Sequence, residues 1–226
     1  MIPALFWTNT AMKLFSYFRS SAAYRVRIAL NLKGLQYDTE AVHLLKDGGQ
    51  QHSASYREYS PLGTVPCLEI DEGGYLTQSL AIIEYLEEIS PETPLLPVGP
   101  QDRARVRSIA QTISCDIHPI NNLRVLNFLT TQFEISADDK ARWYRHWVNE
   151  GLLAVEKMLA DDDRTGRFCH GDLPGLADCC LVPQVFNALR FDCPLEEMPT
   201  IRRIYKACEE LAPFQAASPL NQPDAE

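Results

Sequence analysis

Over the first ninety residues the apolar positions come in short bursts between turn residues; beyond residue 100 they recur at helical spacing. Residues 13–18 (KLFSYF) alternate weakly and favour extended chain, which predicts a strand. Residues 21–33 contain no Gly or Pro, carry Val26, Ala29 and Leu30, and run into Gly34, predicting a helix with a glycine C-cap. A second strand over Tyr37–Val42 completes a βαβ unit. The segment 46–51 (KDGGQQ) reads as a loop, and 50–59 as a short polar helix ended by Ser60-Pro61. Cys67, Leu68 and Ile70 then predict a strand, Gly73-Gly74 a tight turn, and Tyr75–Thr77 the returning strand. Ser79–Ile89 places Leu80, Ile83 and Leu86 on one helical face. The order is β-α-β-α-β-β-α, with Val65-Pro66 just before the third strand. A proline there lacks a donor and admits a cis bond that would expose the backbone groups of Val65 to a ligand.

Residues 90–100 (SPETPLLPVGP) hold four prolines and read as a linker. Beyond it the pattern predicts helices over roughly 101–132, 136–161, 176–190 and 199–212, with no strand. The tail from Ser218 (SPLNQPDAE) is polar and predicts a loosely ordered end. The fold class is therefore α/β plus all-α: an α/β domain over 12–90 and an all-helical domain over 101–217. Pockets commonly form at such interfaces.

Composition narrows the function. A net charge of -9 argues against a nucleic-acid or anionic-membrane partner, and no apolar run reaches a membrane span. The start, MIPALFWTNTA, lacks the basic region and cleavage site of a signal peptide, so residues 1–11 read as an extension or an upstream start. Seven cysteines without a CxxC fit reduced thiols in the cytoplasm, and the five histidines show no metal spacing.

The candidate chemistry begins in Tyr17–Leu30 (YFRSSAAYRVRIAL). A strand, the hydroxyls of Ser20 and Ser21, and then a helix place free N–H groups and the positive dipole end beside those hydroxyls. Such a terminus suits a carboxylate, a phosphate or a thiolate; either serine alone is equally well read as a helix cap. Further along, Gln78-Ser79 opens a helix after a strand, where Thr77 or Ser79 would cap it.

Taken together, YFRSSAAYRVRIALNLKG (17–34), TVPCLEI with TQSLAIIEYLEE (64–70, 77–88) and LADCCLVPQVFNALRF (176–191) resemble the glutathione transferases, specifically the zeta class of maleylacetoacetate isomerases. The resemblance implies a thioredoxin-like N-terminal domain, a helical C-terminal domain, a homodimer and glutathione as cofactor. It implies that Gln78 and Ser79 bind the γ-glutamyl carboxylate, that Val65, before Pro66, pairs with the cysteinyl backbone, and that Gln51 contacts the glycine end. It places Ser20 or Ser21 near the sulfur, which a hydroxyl and a helix N-terminus hold as thiolate. Ala22 stands where the family typically has cysteine. Arg190 matches a pocket arginine, while Arg124 and Arg19 are further candidates for a substrate with two carboxylates, which arginine holds better than lysine, and Arg124 is also a candidate glutathione contact. Arg25 is either structural or a glutathione contact. His118 and Asn122, read as one turn apart on one helix, match glutathione or substrate contacts, although His118 before Pro119 equally suits a helix kink. The segment 171–178 resembles the family's folding motif with only half a capping box, because Gly175 replaces Ser or Thr; Asp178 is then structural.

The implied activity is glutathione-dependent cis–trans isomerisation of maleylacetoacetate to fumarylacetoacetate, in aromatic amino-acid catabolism. Three alternatives stay open: maleylpyruvate isomerase, a transferase or dehalogenase of small α-halo acids, and a non-catalytic interaction module on the same fold.

Overall fold

The computed structural model describes residues 12–70 and 73–226. The reading of residues 1–11 lies outside the described residues; of the predicted turn Gly73-Gly74, Gly74 belongs to the returning strand. The first part is a four-stranded sheet of β1 (Met12–Ser16), β2 (Tyr37–Ala41), β3 (Cys67–Ile70) and β4 (Gly74–Thr77) in the order β2-β1-β3-β4. β1 runs parallel to β2 and antiparallel to β3, with Leu14 opposite Leu68. β3 and β4 form the expected hairpin, from Cys67 opposite Thr77 to Ile70 opposite Gly74. The first strand stops at Ser16 rather than at residue 18, because the chain turns there and the Ser20 N–H donates to the Tyr17 carbonyl at 2.9 Å. Where one polar helix was expected over 50–59, a 3₁₀ turn at Gln50–His52 precedes α2 (Ala54–Tyr59).

Helix α1 (Ser21–Lys33) is buried almost all round, because α3 (Ser79–Ile89) lies on one side and elements of the second part on the other. Gly34 closes it at φ 67°, a left-handed conformation that glycine adopts without penalty. The proline-rich linker is anchored: the buried Lys33 Nζ donates to the Ser90 and Thr93 carbonyls, both at 2.8 Å, and pairs with Glu87.

The predicted helix over 101–132 is broken. It comprises α4 (Pro100–Gln111), a π-helical stretch Thr112–Ile117, the single turn α5 (His118–Ile120), a stop at Asn121, and α6 (Leu123–Gln132). Pro119 has no N–H to continue the ladder, and the Asn122 side chain restarts it by accepting the Arg124 N–H at 3.1 Å. Ile117 packs so closely on α7 (Ala137–Ala160) that a Cβ at Gly151 would meet it at 2.3 Å. Trp143 Nε1 donates to the Ile120 carbonyl at 3.0 Å, fixing the turn from the other side. Asn122 is thus a cap outside the helix that holds His118, and Arg124 belongs to α6 rather than to a first long helix.

At the centre lies α8 (Leu176–Arg190), packed on α1, α4 and α9 (Pro199–Glu209). Its start has the expected half box: Asp178 accepts the Gly175 and Cys169 N–H groups, each at 2.9 Å, and is fully buried. The last predicted helix stops at Glu209; Pro213 opens a separate α10 (Ala212–Ala217).

The tail is not loose. Asp224 accepts the Phe18 N–H at 2.9 Å, Ala225 packs against the cluster of Phe15, Tyr17 and Phe18, and the Glu226 carboxylate meets Lys46 and His43. Behind the same loop, buried Arg27 donates to Ala217 O and Phe18 O at 3.0 Å, to Ser16 Oγ at 3.0 Å and to Tyr17 O at 3.5 Å. A polar terminal segment and one buried cation therefore hold the turn that leads into Ser20.

Candidate active site

Three neighbouring cavities open where α1 begins, between the sheet and the helices. The first is lined by Arg19, Ser20, Ser21, Gln184, Asn187 and Arg190, among others. The second is lined by Arg25, Val65, Pro66, Gln78, Ser79 and Arg124. The third carries Gln51, His52, Val65 and Arg124, and shares Ser20 with the first. His118 and Asn122 border all three. A larger open groove of about 790 Å³ lies on the outer side of α6 and α7, but among the described residues it holds no buried polar atom lacking a partner.

The two serines have different surroundings. Ser20 is the N-cap of α1, accepting the Ala23 N–H at 3.2 Å; its hydroxyl proton is uncommitted and it stands where two cavities meet. Ser21 is buried, borders the first cavity, and accepts from Asn187 Nδ2 at 2.5 Å across the gap between α1 and α8. Both lie at the positive end of the helix.

The second cavity is lined by a buried cation, a helix N-terminus and a serine hydroxyl. Gln78 occupies the N-cap of α3 at φ 70°, a left-handed conformation uncommon outside glycine, and makes no side-chain cap bond. Neither Thr77 nor Ser79 caps this helix. Ser79 is buried and accepts from Arg25 Nη1 at 3.2 Å. Arg25 itself is 2 % exposed, and among the described residues its Nε and Nη2 have no partner. Burial pulls its pKa down, yet a guanidinium stays charged. An unpaired buried charge costs several kcal/mol. The Val65-Pro66 bond is cis, and among the described residues neither backbone group of Val65 has a backbone partner.

His118 is held neutral: burial, and then the charges of Arg25 and Arg124, push its pKa down to about 3. Asn122 Nδ2 lies 3.5 Å from its Nε2, so the two meet despite the break between them. Gln51 is buried with Nε2 3.4 Å from the Leu44 carbonyl, and its Oε1 is unpartnered.

Arg19 and Arg190 border the first cavity together, near enough to lower the pKa of Arg190, which burial depresses first. Arg124, expected among the substrate-facing cations, borders the second and third cavities instead. The sequence reading missed Asn121, Gln184 and Asn187, which line the first cavity with buried, unpartnered amide atoms. The available signal was a polar pair spaced i, i+3 inside an otherwise apolar helix, LVPQVFNAL.

Residues 19–89 match the family model described as glutathione S-transferase, N-terminal domain. The chain is 47 % identical over 213 residues to a maleylacetoacetate isomerase of Pseudomonas aeruginosa, covering 94 % of this chain and 98 % of that one. It is similar to the holo structure of a maleylpyruvate isomerase described as a bacterial zeta-class glutathione S-transferase, with 44 % identity, a TM-score of 0.90, and coverage of 95 % and 100 %. It is also similar to a maleylacetoacetate isomerase of Methylobacterium extorquens AM1 solved with malonate and glutathione, with 40 % identity, a TM-score of 0.91, and coverage of 95 % and 99 %.

Proposed function

The chain belongs to the zeta-class glutathione transferases, the family of the maleylacetoacetate isomerases, and from that premise we propose that it isomerises maleylacetoacetate to fumarylacetoacetate with glutathione as cofactor. Maleylpyruvate is the second candidate substrate, since a maleylpyruvate isomerase is a comparably close relative. The observation that carries the reading is the pair of unpartnered Arg25 nitrogens beside the N-terminus of α3, next to a serine-capped helix and a cavity bordered by two arginines.

The residues present fit glutathione. Arg25, Ser79 and the first turn of α3 would take its γ-glutamyl carboxylate. The free backbone of Val65 would pair with the peptide, and Gln51 would face the glycine end. Ser20, at the junction of the cavities, is the hydroxyl proposed to face the sulfur. When bound, glutathione would supply a thiolate whose conjugate addition turns the cis double bond into a single bond free to rotate, and whose departure restores the double bond as trans.

The protein's own work is electrostatic and positional. The Ser20 hydroxyl and the α1 dipole favour the thiolate over the thiol. His118, neutral, takes no proton near pH 7 and adds no charge beside the sulfur. Arg19 and Arg190 hold substrate carboxylates in a fork geometry and orient the conjugated bond. Charge that gathers on the substrate oxygen in the transition state meets fixed donors, which bind it more tightly than the ground state. Asp178 stays structural. A homodimer in the cytoplasm is part of the same proposal, checked by sedimentation of the purified protein.

The test is a spectrophotometric assay of maleylacetoacetate and maleylpyruvate, each with and without glutathione. Turnover only with glutathione is the expected result, and the kcat/KM ratio names the substrate. Glutathione binding without turnover of either acid would overturn the isomerase and leave a transferase or dehalogenase.

A further inference from the structure

The floor of the first cavity is neutral and polar, unlike its arginine-bearing border. Gln184 is 2 % exposed and its Oε1 has no partner; Asn121 is 8 % exposed and neither amide atom has one. Asn187 spends its Nδ2 on Ser21 and leaves its Oδ1 unpartnered. Ser21, having accepted that N–H, keeps its own O–H to give. These groups come from α1, from the turn after α5 and from one face of α8, so three elements converge on one space.

Buried amide atoms without partners are uncommon, because leaving them unmade is costly. Those here line a cavity, so a bound molecule is the natural source of their hydrogen bonds. The atoms also state what that molecule must offer. The Gln184, Asn187 and Asn121 amide oxygens only accept, whereas the Ser21 hydroxyl and Asn121 Nδ2 donate. A ligand bearing only carbonyl oxygens satisfies those donors and leaves the amide oxygens facing another acceptor. A carboxylate does worse, adding negative charge against them. A ligand carrying a hydroxyl next to a carbonyl satisfies both kinds of group.

Resting on the function proposed above, we infer that Ser21, Asn121, Gln184 and Asn187 form a subsite for the enol tautomer of a 1,3-dioxo acid. Both candidate substrates carry two oxo groups flanking one methylene, and such compounds exchange a carbon-bound proton for an enol O–H with no change in composition. The subsite selects that tautomer from solution; the protein gives and takes no proton. The enol O–H donates to an amide oxygen, and the neighbouring carbonyl accepts from Ser21. Arg19 and Arg190 recognise the carboxylates, and the floor recognises what lies between them. Asn187 is then a positioning residue for Ser21 as well as a ligand contact.

The test uses three unreactive seven-carbon diacids that lack the double bond: heptanedioate, 4-oxoheptanedioate and the enolised 2,4-dioxoheptanedioate. Their affinities are measured by calorimetry on the full-length protein, with and without glutathione. The dioxo acid should bind about tenfold or more tighter than either of the others, and its near-ultraviolet enol band should grow on binding. Gln184→Met and Asn187→Ala should each erase most of that preference, read as the ratio of dioxo-acid to heptanedioate affinity within the same variant, with the circular dichroism of each variant confirming its fold. Equal binding of the mono-oxo and dioxo acids to the unmodified protein would overturn the inference, as would a preference that survives both substitutions. Because these measurements need no turnover, failure of the subsite and failure of the isomerase are separate results.

Discussion

Arg25 and Arg27 stand two residues apart on one helix, are 2 % and 0 % exposed, and differ in almost every other respect. Arg27 reaches the back of the active-site turn and donates to three carbonyls and a hydroxyl. Arg25 reaches the cavity beside α3 and has one hydroxyl, with two nitrogens unpartnered. Burial is the same for both, so burial does not separate scaffold from site; hydrogen-bond satisfaction does. A buried cation with its protons matched holds the protein together, and one with its protons unmatched is the cation proposed above to take an anion.

That contrast is open to attack by substitution. Arg27→Met should cost about 4 kcal/mol of folding stability, since several buried acceptors lose their donor at once; urea unfolding would measure it, and a loss under about 1 kcal/mol would break the contrast. Arg25→Met should leave folding stability level or higher, because it removes an uncompensated buried charge, while glutathione affinity falls about 100-fold. A calorimetric titration that found affinity intact would sink the anion role. Ser20→Ala should lower kcat by about 100-fold and raise the pKa of the bound thiol, read from thiolate absorbance against pH. Ser21→Ala should leave that pKa in place, and a shift there would reverse the division between the serines.

The smallest effect concerns His118. Its pKa in the folded protein, about 3, lies below the ordinary 6.5, so the unfolded chain binds the extra proton more readily. Stability from this source is complete above pH 6.5 and is lost as pH falls toward 3, amounting to about 2 kcal/mol at pH 5. His118→Gln should remove that acid sensitivity, and unfolding curves of the two proteins at pH 7 and pH 5 decide it.

Much of this was legible in the residues, and the exceptions share a cause. The βαβ unit, the hairpin, the helix from Ser79 and the half capping box follow from local patterns: alternation, paired glycines, helical periodicity and Gly175 before Asp178. The apolar spacing of the proline-containing stretch 101–132 predicts one helix and hides a break that Pro119 and the Asn121-Asn122 doublet announce. A broken helix re-aims every side chain after it, and Arg124 borders the second and third cavities. The Ser21–Asn187 bond joins residues 166 positions apart, and no local rule predicts it. The tail misled for the opposite reason: its polar, proline-bearing composition looks unstructured, yet its contacts are with the other end of the chain.

That last feature carries a consequence for how the protein is made. Synthesis delivers the sheet and α1 long before residues 217–224, and early domains generally fold as they emerge. The turn ahead of Ser20 is held by Ala217 through Arg27 and by Asp224 directly. A nascent chain halted before that segment would carry the whole sheet and both serines, with the turn that positions them lacking its contacts to Ala217 and Asp224. The last two braces on the turn ahead of Ser20 therefore arrive after the helices that form the other wall of the first cavity.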